Sequence, residues 1–228
     1  MYQWLLFDAD NTLWDFSAAE AASLQATLRQ TDLEWSDQLL GIYREINHEA
    51  WSEYERGLFD SQKLRVVRFE RLLERFRVAG DPEELSALYR AGLAASDHLM
   101  KGARTTLEQL GKHYRLGLVT NGLKEVQRPR LINTGMQDTF EAITISDEIG
   151  IAKPEAGFFD HTFAQMGRPD PAEVLVIGDN AIADIGGAKA YGCAAAWIQL
   201  PGNTKQPPLP PDYVIGGVAD LVKLLGRS

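Results

Sequence analysis

Cysteine is almost missing from this chain: Cys193 stands alone among 228 residues, so no internal disulfide can form and a reducing, cytoplasmic setting is expected. In its stretch of small residues, Cys193 reads as a small core hydrophobe. No apolar run reaches membrane-spanning length, and residues 1 to 7 read as a strand without the basic start of a signal peptide, so a soluble protein away from membranes is expected. Positive charge is also short. Against 32 Asp and Glu there are 23 Lys and Arg, a formal net charge of −9, which argues against a nucleic-acid polymer as main partner because such binding draws on clustered Lys and Arg. The four histidines, His48, His98, His113 and His161, lack metal-ligand spacing and receive no role. No internal repeat is visible. The 45% of apolar residues is enough for one large or two small domains.

What is present begins with Trp4-Leu5-Leu6-Phe7, which runs into Asp8-Ala9-Asp10-Asn11-Thr12-Leu13. A strand sends alternate side chains to one face, so the end of a buried strand here delivers two carboxylates and a hydroxyl into a small volume. Close carboxylates repel, and the arrangement makes physical sense with a divalent cation between them and a covalent or proton-transfer role for one acid. Three later segments follow the same plan. Tyr114 to Val119 is an apolar run ending in Thr120, Asn121 and Gly122; Gly150-Ile151-Ala152-Lys153-Pro154 presents an ammonium beside a rigid proline; Val174 to Gly178 ends in Asp179 and Asn180, with Asp184 further on. Asn180 or Asp184 is a candidate cap for a helix starting near Ala181. Asn11 suits a left-handed turn better than most residues.

Residues 101 to 228 alternate apolar runs with helical patterns, the mark of βαβ units and a parallel sheet. Strands are expected near 114–120, 142–146, 174–179, 194–200 and 213–215, and helices over Glu155–Met166 and Ala183–Tyr191. The stretch from Ser17 to Leu99 is helical throughout. Ser36, Ser61 and Asp81-Pro82-Glu83-Glu84 read as helix starts, with Gly57 and Gly80 as stops. The expected architecture is therefore α/β: a doubly wound, Rossmann-like parallel-sheet core of residues 1–16 and 100–228, with a helical insert over 17–99. Leaving the chain beside the carboxyl end of the first strand, the insert is placed to act as a lid. The Pro/Gly-rich stretch from Pro201 to Pro211 reads as a loop.

Taken in order, Asp8 with Asp10, Thr120, Lys153, and Asp179 with Asp184 resemble the four motifs of the haloacid dehalogenase-like (HAD) superfamily, over nearly the whole chain. The segments around them are similar to those of the YjjG-type pyrimidine and nucleoside-monophosphate 5′-nucleotidases. The resemblance implies a phosphomonoesterase in which Asp8 attacks phosphorus to give an aspartyl-phosphate, while Asp10 serves the leaving oxygen and then the hydrolytic water. It implies that Asp8, the main-chain carbonyl of Asp10, and Asp179 hold Mg²⁺, or Mn²⁺ in its place, with Asp184 binding through water or fixing Lys153. Thr120 and Asn121 would donate to phosphoryl oxygens, and Lys153 would neutralise the nucleophile and the transferring group. The helical insert corresponds to the superfamily's cap.

Trp14 and Phe16 are either core packing or a stacking wall for a base or sugar, and Trp51, Tyr54 and Arg56 are lesser candidates of the same kind. The expected partner is a small phosphorylated metabolite, a nucleoside monophosphate first, and the chain itself is expected to be a monomer or homodimer. A phosphatase of a sugar phosphate or phosphoglycolate is the alternative enzyme, and a phosphate-sensing interaction module the alternative outside enzymes.

Overall fold

The computed structural model describes residues 1–201 and 205–226, so residues 202–204 of the expected Pro201–Pro211 loop lie outside it. Two compact units divide the chain: Met1–Phe16 with Asp97–Ser228, and Ser17–Ser96. The first unit resumes at Asp97 because the chain there pairs with the segment after the first strand: Asp15 N donates to His98 O, Met100 N donates to Leu13 O, and Trp14 bridges Leu99.

In the first unit, the strands β1 (Trp4–Phe7), β2 (Arg115–Thr120), β3 (Ala142–Ile145), β4 (Val174–Gly178), β5 (Ala194–Ile198) and β6 (Tyr213–Ile215) form one sheet. Its order among the described residues is β3-β2-β1-β4-β5-β6, every pairing parallel. A parallel sheet is covered on both faces, which is why its strands are continuously apolar rather than alternating. Leu5, Phe7, Leu175 and Ile177 enter one core layer, whereas Trp4, Leu6, Val174 and Val176 enter the layer on the other face. The order reverses at β1, with β2 on one side and β4 on the other, and ligands gather outside the carboxyl ends of strands at such a point. Cys193 lies in the second layer, where burial pushes its thiol up to about 12, as suits an unreactive core residue.

The expected helix over Ala183–Tyr191 starts earlier. A π-helical turn spans Ala181–Gly186 and passes into an α-helix over Gly187–Tyr191, with Ile185 N reaching back to Asn180 O. Strand β5 ends at Ile198 rather than 200.

The second unit is helical. Four segments, Phe16–Leu28 (which begins in the first unit), Asp37–Glu55, Ser61–Phe76 and Pro82–Ala95, carry it. Ser36 caps the second, and Asp81 caps the fourth by accepting from Glu83 N and Glu84 N, with Pro82 at the first helical position. Asp60, one residue before the expected start at Ser61, caps the third. Gly80 is not the stop of that helix: Arg77 takes the left-handed conformation instead, at φ 55°. Tyr43, Phe69 and Tyr89 pack edge-on or tilted at 5.4 to 5.6 Å in the interior of this unit. Beside them the buried Glu20 meets Arg44 at 2.7 Å. Trp51 and Tyr54 pack on each other and on Ala50, Leu64 and Val67. Among the described residues no helix is long and apolar enough to cross a membrane.

Candidate active site

The register explains how residues more than a hundred positions apart meet. Phe7 pairs with Leu118 on one side and Ile177 on the other, so Asp8 leaves β1 just where Thr120 and Asp179 leave the neighbouring strands. Asn11 then turns the chain in the left-handed region, at φ 59°.

Lys153 is the centre of the charge arrangement. Its side chain is buried, and Nζ donates to Asp8 Oδ1 at 2.7 Å, to Asp184 Oδ1 at 2.6 Å and to the carbonyl of Val119 at 2.8 Å. An ammonium has three N–H groups, and all three are used. This makes it a fixed point charge on Asp8 and Asp184. Burial disfavours the ammonium, but the carboxylates of Asp184 and Asp8 outweigh this and hold Lys153 above the ordinary lysine range.

Three carboxylates, from Asp8, Asp179 and Asp184, bring ligand oxygens within 4.8 Å of one another. One buried ammonium does not balance them. Burial first, and then the charges of Asp184 and Asp179, hold Asp8 well above the carboxylate range despite Lys153. Burial and Asp184 likewise push Asp179 up to about 7. Oxygen donors with excess negative charge fit a hard divalent cation. Asp10 contributes no carboxylate to this group, because its side chain turns to another element.

Asn180, rather than Asp184, is the cap: its side chain accepts from Ile182 N and Ala183 N at 3.0 Å. Asp184 is thereby left for the site, holding Lys153 with one oxygen and accepting from Asn180 N with the other at 2.9 Å. Gly178 makes room for it. A Cβ built there would lie 2.2 Å from Asp184 Oδ2.

Thr120 is buried at the end of β2 and accepts from Gly122 N at 3.0 Å, which leaves its own O–H to donate elsewhere. Asn121 has a structural partner as well. Its side chain fixes the lysine loop, donating one amide N–H to the Lys153 carbonyl at 2.9 Å and accepting from the Lys153 N–H at 2.8 Å, while its second amide N–H remains to donate. Trp14 is core packing and not a stacking wall. Its ring is 1% exposed within the core of the first unit and has no open face on which a base could stack. Phe16 is half-buried at the start of its helix.

Two residues were not found from the sequence. Asp10 Oδ1 accepts from Arg130 Nη1 at 2.5 Å and Oδ2 from Gln127 Nε2 at 2.8 Å. Both lie on the helix Lys124–Asn133 that follows β2, three positions apart on its buried face. A Gln and an Arg at that spacing look like an ordinary solvated helix face, so nothing local marks them. In the structure Gly122 just upstream leaves them space: a Cβ there would meet Gln127 Nε2 at 2.3 Å.

Comparisons with known proteins bear on the family and the fold. The profile of the haloacid dehalogenase-like hydrolases matches residues 2–192. The chain is 30% identical to pyrimidine 5′-nucleotidase YjjG of Escherichia coli (strain K12) over 98% of both chains, and 29% identical to pyrimidine 5′-nucleotidase PynA of Streptococcus pneumoniae over 100% of this chain and 96% of that one. Among solved structures, the putative HAD-hydrolase YfnB of Bacillus subtilis, in a magnesium-bound form, superimposes with a TM-score of 0.91 at 29% identity, covering 99% of each chain. With its parallel sheet, its strand-end acids and a matching profile over most of its length, the chain belongs to the haloacid dehalogenase-like hydrolases.

Proposed function

We propose that this hydrolase is a Mg²⁺-dependent phosphomonoesterase, and specifically a cytoplasmic 5′-nucleotidase acting on nucleoside monophosphates. The observation that carries the reading is the Asp8–Lys153–Asp184 arrangement with Asp179 beside it: a carboxylate at a strand end, aimed by a buried ammonium, next to acids that fit a cation. The named relatives YjjG and PynA support the narrower nucleotidase reading.

In the first step an Asp8 carboxylate oxygen attacks phosphorus, the bond from phosphorus to the ester oxygen breaks, and Asp10 gives its proton to that leaving oxygen. In the second, Asp10 takes a proton from water, the water oxygen attacks phosphorus, and the bond to Asp8 breaks to release inorganic phosphate. Lys153 holds the Asp8 oxygen in line throughout, so that little reorganisation remains at the moment of attack. Thr120 is placed to donate its hydroxyl to a phosphoryl oxygen. Asp8, Asp179 and Asp184, with the Asp10 carbonyl, would hold Mg²⁺, which when bound supplies positive charge to the phosphoryl oxygens.

The test is phosphate release over a panel of pyrimidine and purine 5′-monophosphates, sugar phosphates and phosphoglycolate. A nucleoside monophosphate should give the highest kcat/KM. If a sugar phosphate exceeds it by about tenfold, a difference of ~1.4 kcal/mol in transition-state binding, the nucleotidase reading falls. Absence of hydrolysis throughout the panel would leave a phosphate-sensing module.

A further inference from the structure

On the basis of the phosphomonoesterase reading, we infer that Arg130 and Gln127 are positioning residues that hold the Asp10 carboxylate in one orientation and so set how well it serves the leaving oxygen and the water. The two side chains take one oxygen each, Arg130 at 2.5 Å and Gln127 at 2.8 Å, so rotation of the carboxylate about its own axis would break two hydrogen bonds at once. Each oxygen keeps lone-pair capacity for a substrate or a water.

Packing alone does not account for Arg130. Its side chain is fully buried, yet its Nε and Nη2 have no hydrogen-bond partner among the described residues, and its ion pair is with Asp10. A buried guanidinium is costly unless paired, and here the pairing is directed to an acid at the mouth of β1. The surroundings fix the guanidinium further. Its Cζ lies 5.8 Å from the Trp14 ring centroid, which gives that buried indole a place in the arrangement as a wall behind the clamp. The end of the helix is tied down as well, since Thr134 Oγ1 donates to Arg130 O at 2.7 Å and Arg104 Nη2 donates to Thr134 O at 2.6 Å. Gly122 opens the passage through which the Gln127 amide reaches Asp10. A carboxylate that must give and take a proton depends on alignment, and a displacement of about 1 Å is enough to cost roughly a hundredfold in rate.

The test compares Gln127→Leu, Arg130→Met and Arg130→Lys, each in the wild-type and the Asp10→Asn backgrounds. It follows kcat and KM for 4-nitrophenyl phosphate and for an alkyl phosphate, with melting curves to confirm folding. Arg130→Met and Gln127→Leu should lower kcat on the alkyl ester by about 10- to 100-fold while KM stays within about threefold, and should affect the nitrophenyl ester, whose leaving group needs little proton help, far less. Arg130→Lys should recover part of the loss. In the Asp10→Asn background the same substitutions should add less than about twofold, as expected of residues that act through one group. Equal losses in both backgrounds, or on both esters, would overturn the clamp. If Arg130→Met does not fold, Gln127→Leu decides by the same criteria. A wild-type protein that hydrolyses neither ester would overturn the phosphomonoesterase reading and the clamp with it; an active wild type with additive losses would overturn the clamp alone.

Discussion

Gly178 shows how tightly single residues are constrained here. The space of its missing side chain is occupied by the Asp184 carboxylate, which in turn holds Lys153. Gly178→Ala should therefore destabilise the fold by about 1–3 kcal/mol through overpacking and should lower turnover by displacing Asp184, as read by urea unfolding and by phosphate release. A variant as stable and active as wild type would show that Asp184 has freedom this geometry denies it. Asp179 gives a prediction in pH. Burial and Asp184 raise its carboxyl to about 7, so in the metal-free protein it contributes stability at low pH that is lost as pH rises through about 7. A cation must displace that proton below this range and meets an ionised carboxylate above it. The rise in melting temperature on adding Mg²⁺ should thus be larger at pH 8 than at pH 6, and a larger rise at pH 6 would contradict the proposed ligand set.

At the scale of elements, the helix starting at Pro82 rests on Asp81, whose side chain accepts from two backbone N–H groups. Asp81→Ala should cost about 1 kcal/mol, measurable by thermal unfolding, and no change would mean that the cap carries nothing. This start was legible because cap, proline and acid lie within four consecutive residues. The strands were legible for a similar reason: a sheet buried on both faces needs continuous apolar runs, and Trp4–Phe7 and Val174–Gly178 have them. The acids that follow such runs could be picked out for the same reason. What escaped notice depends on partners far along the chain. The backbone of Lys153 captures the Asn121 amide 32 positions away, and the Gln127 and Arg130 side chains reach back more than a hundred positions to Asp10. Local spacing contains no trace of either. Trp14 could not be settled between wall and core for the same reason, since its burial depends on Leu99 and the layer around β1. Helix stops are weaker signals than starts, as Arg77 in the left-handed conformation, ahead of Gly80, makes plain.

For the molecule as a whole, a strand order that reverses at β1 gathers Asp8, Thr120, Lys153, Asp179 and Asp184 from four widely spaced segments at one end of the sheet. In a chain of net charge −9, the proposed function would have the buried ammonium of Lys153, together with a cation held by Asp8, Asp179 and Asp184, counter the charge of an anionic substrate. In the proposed chemistry Asp8 is a covalent nucleophile toward phosphorus, assisted by a divalent cation. The most direct measurement is inorganic phosphate released from a nucleoside monophosphate by wild-type protein with Mg²⁺, by the same protein with EDTA, and by Asp8→Asn with Mg²⁺, each confirmed as folded by circular dichroism. Turnover is expected in the first sample and a fall by about 10³-fold or more in the other two, since an amide is a very poor nucleophile and the clustered carboxylates repel the substrate without the cation. Asp8→Asn turnover within about tenfold of wild type, or equal rates with Mg²⁺ and EDTA, would contradict this chemistry.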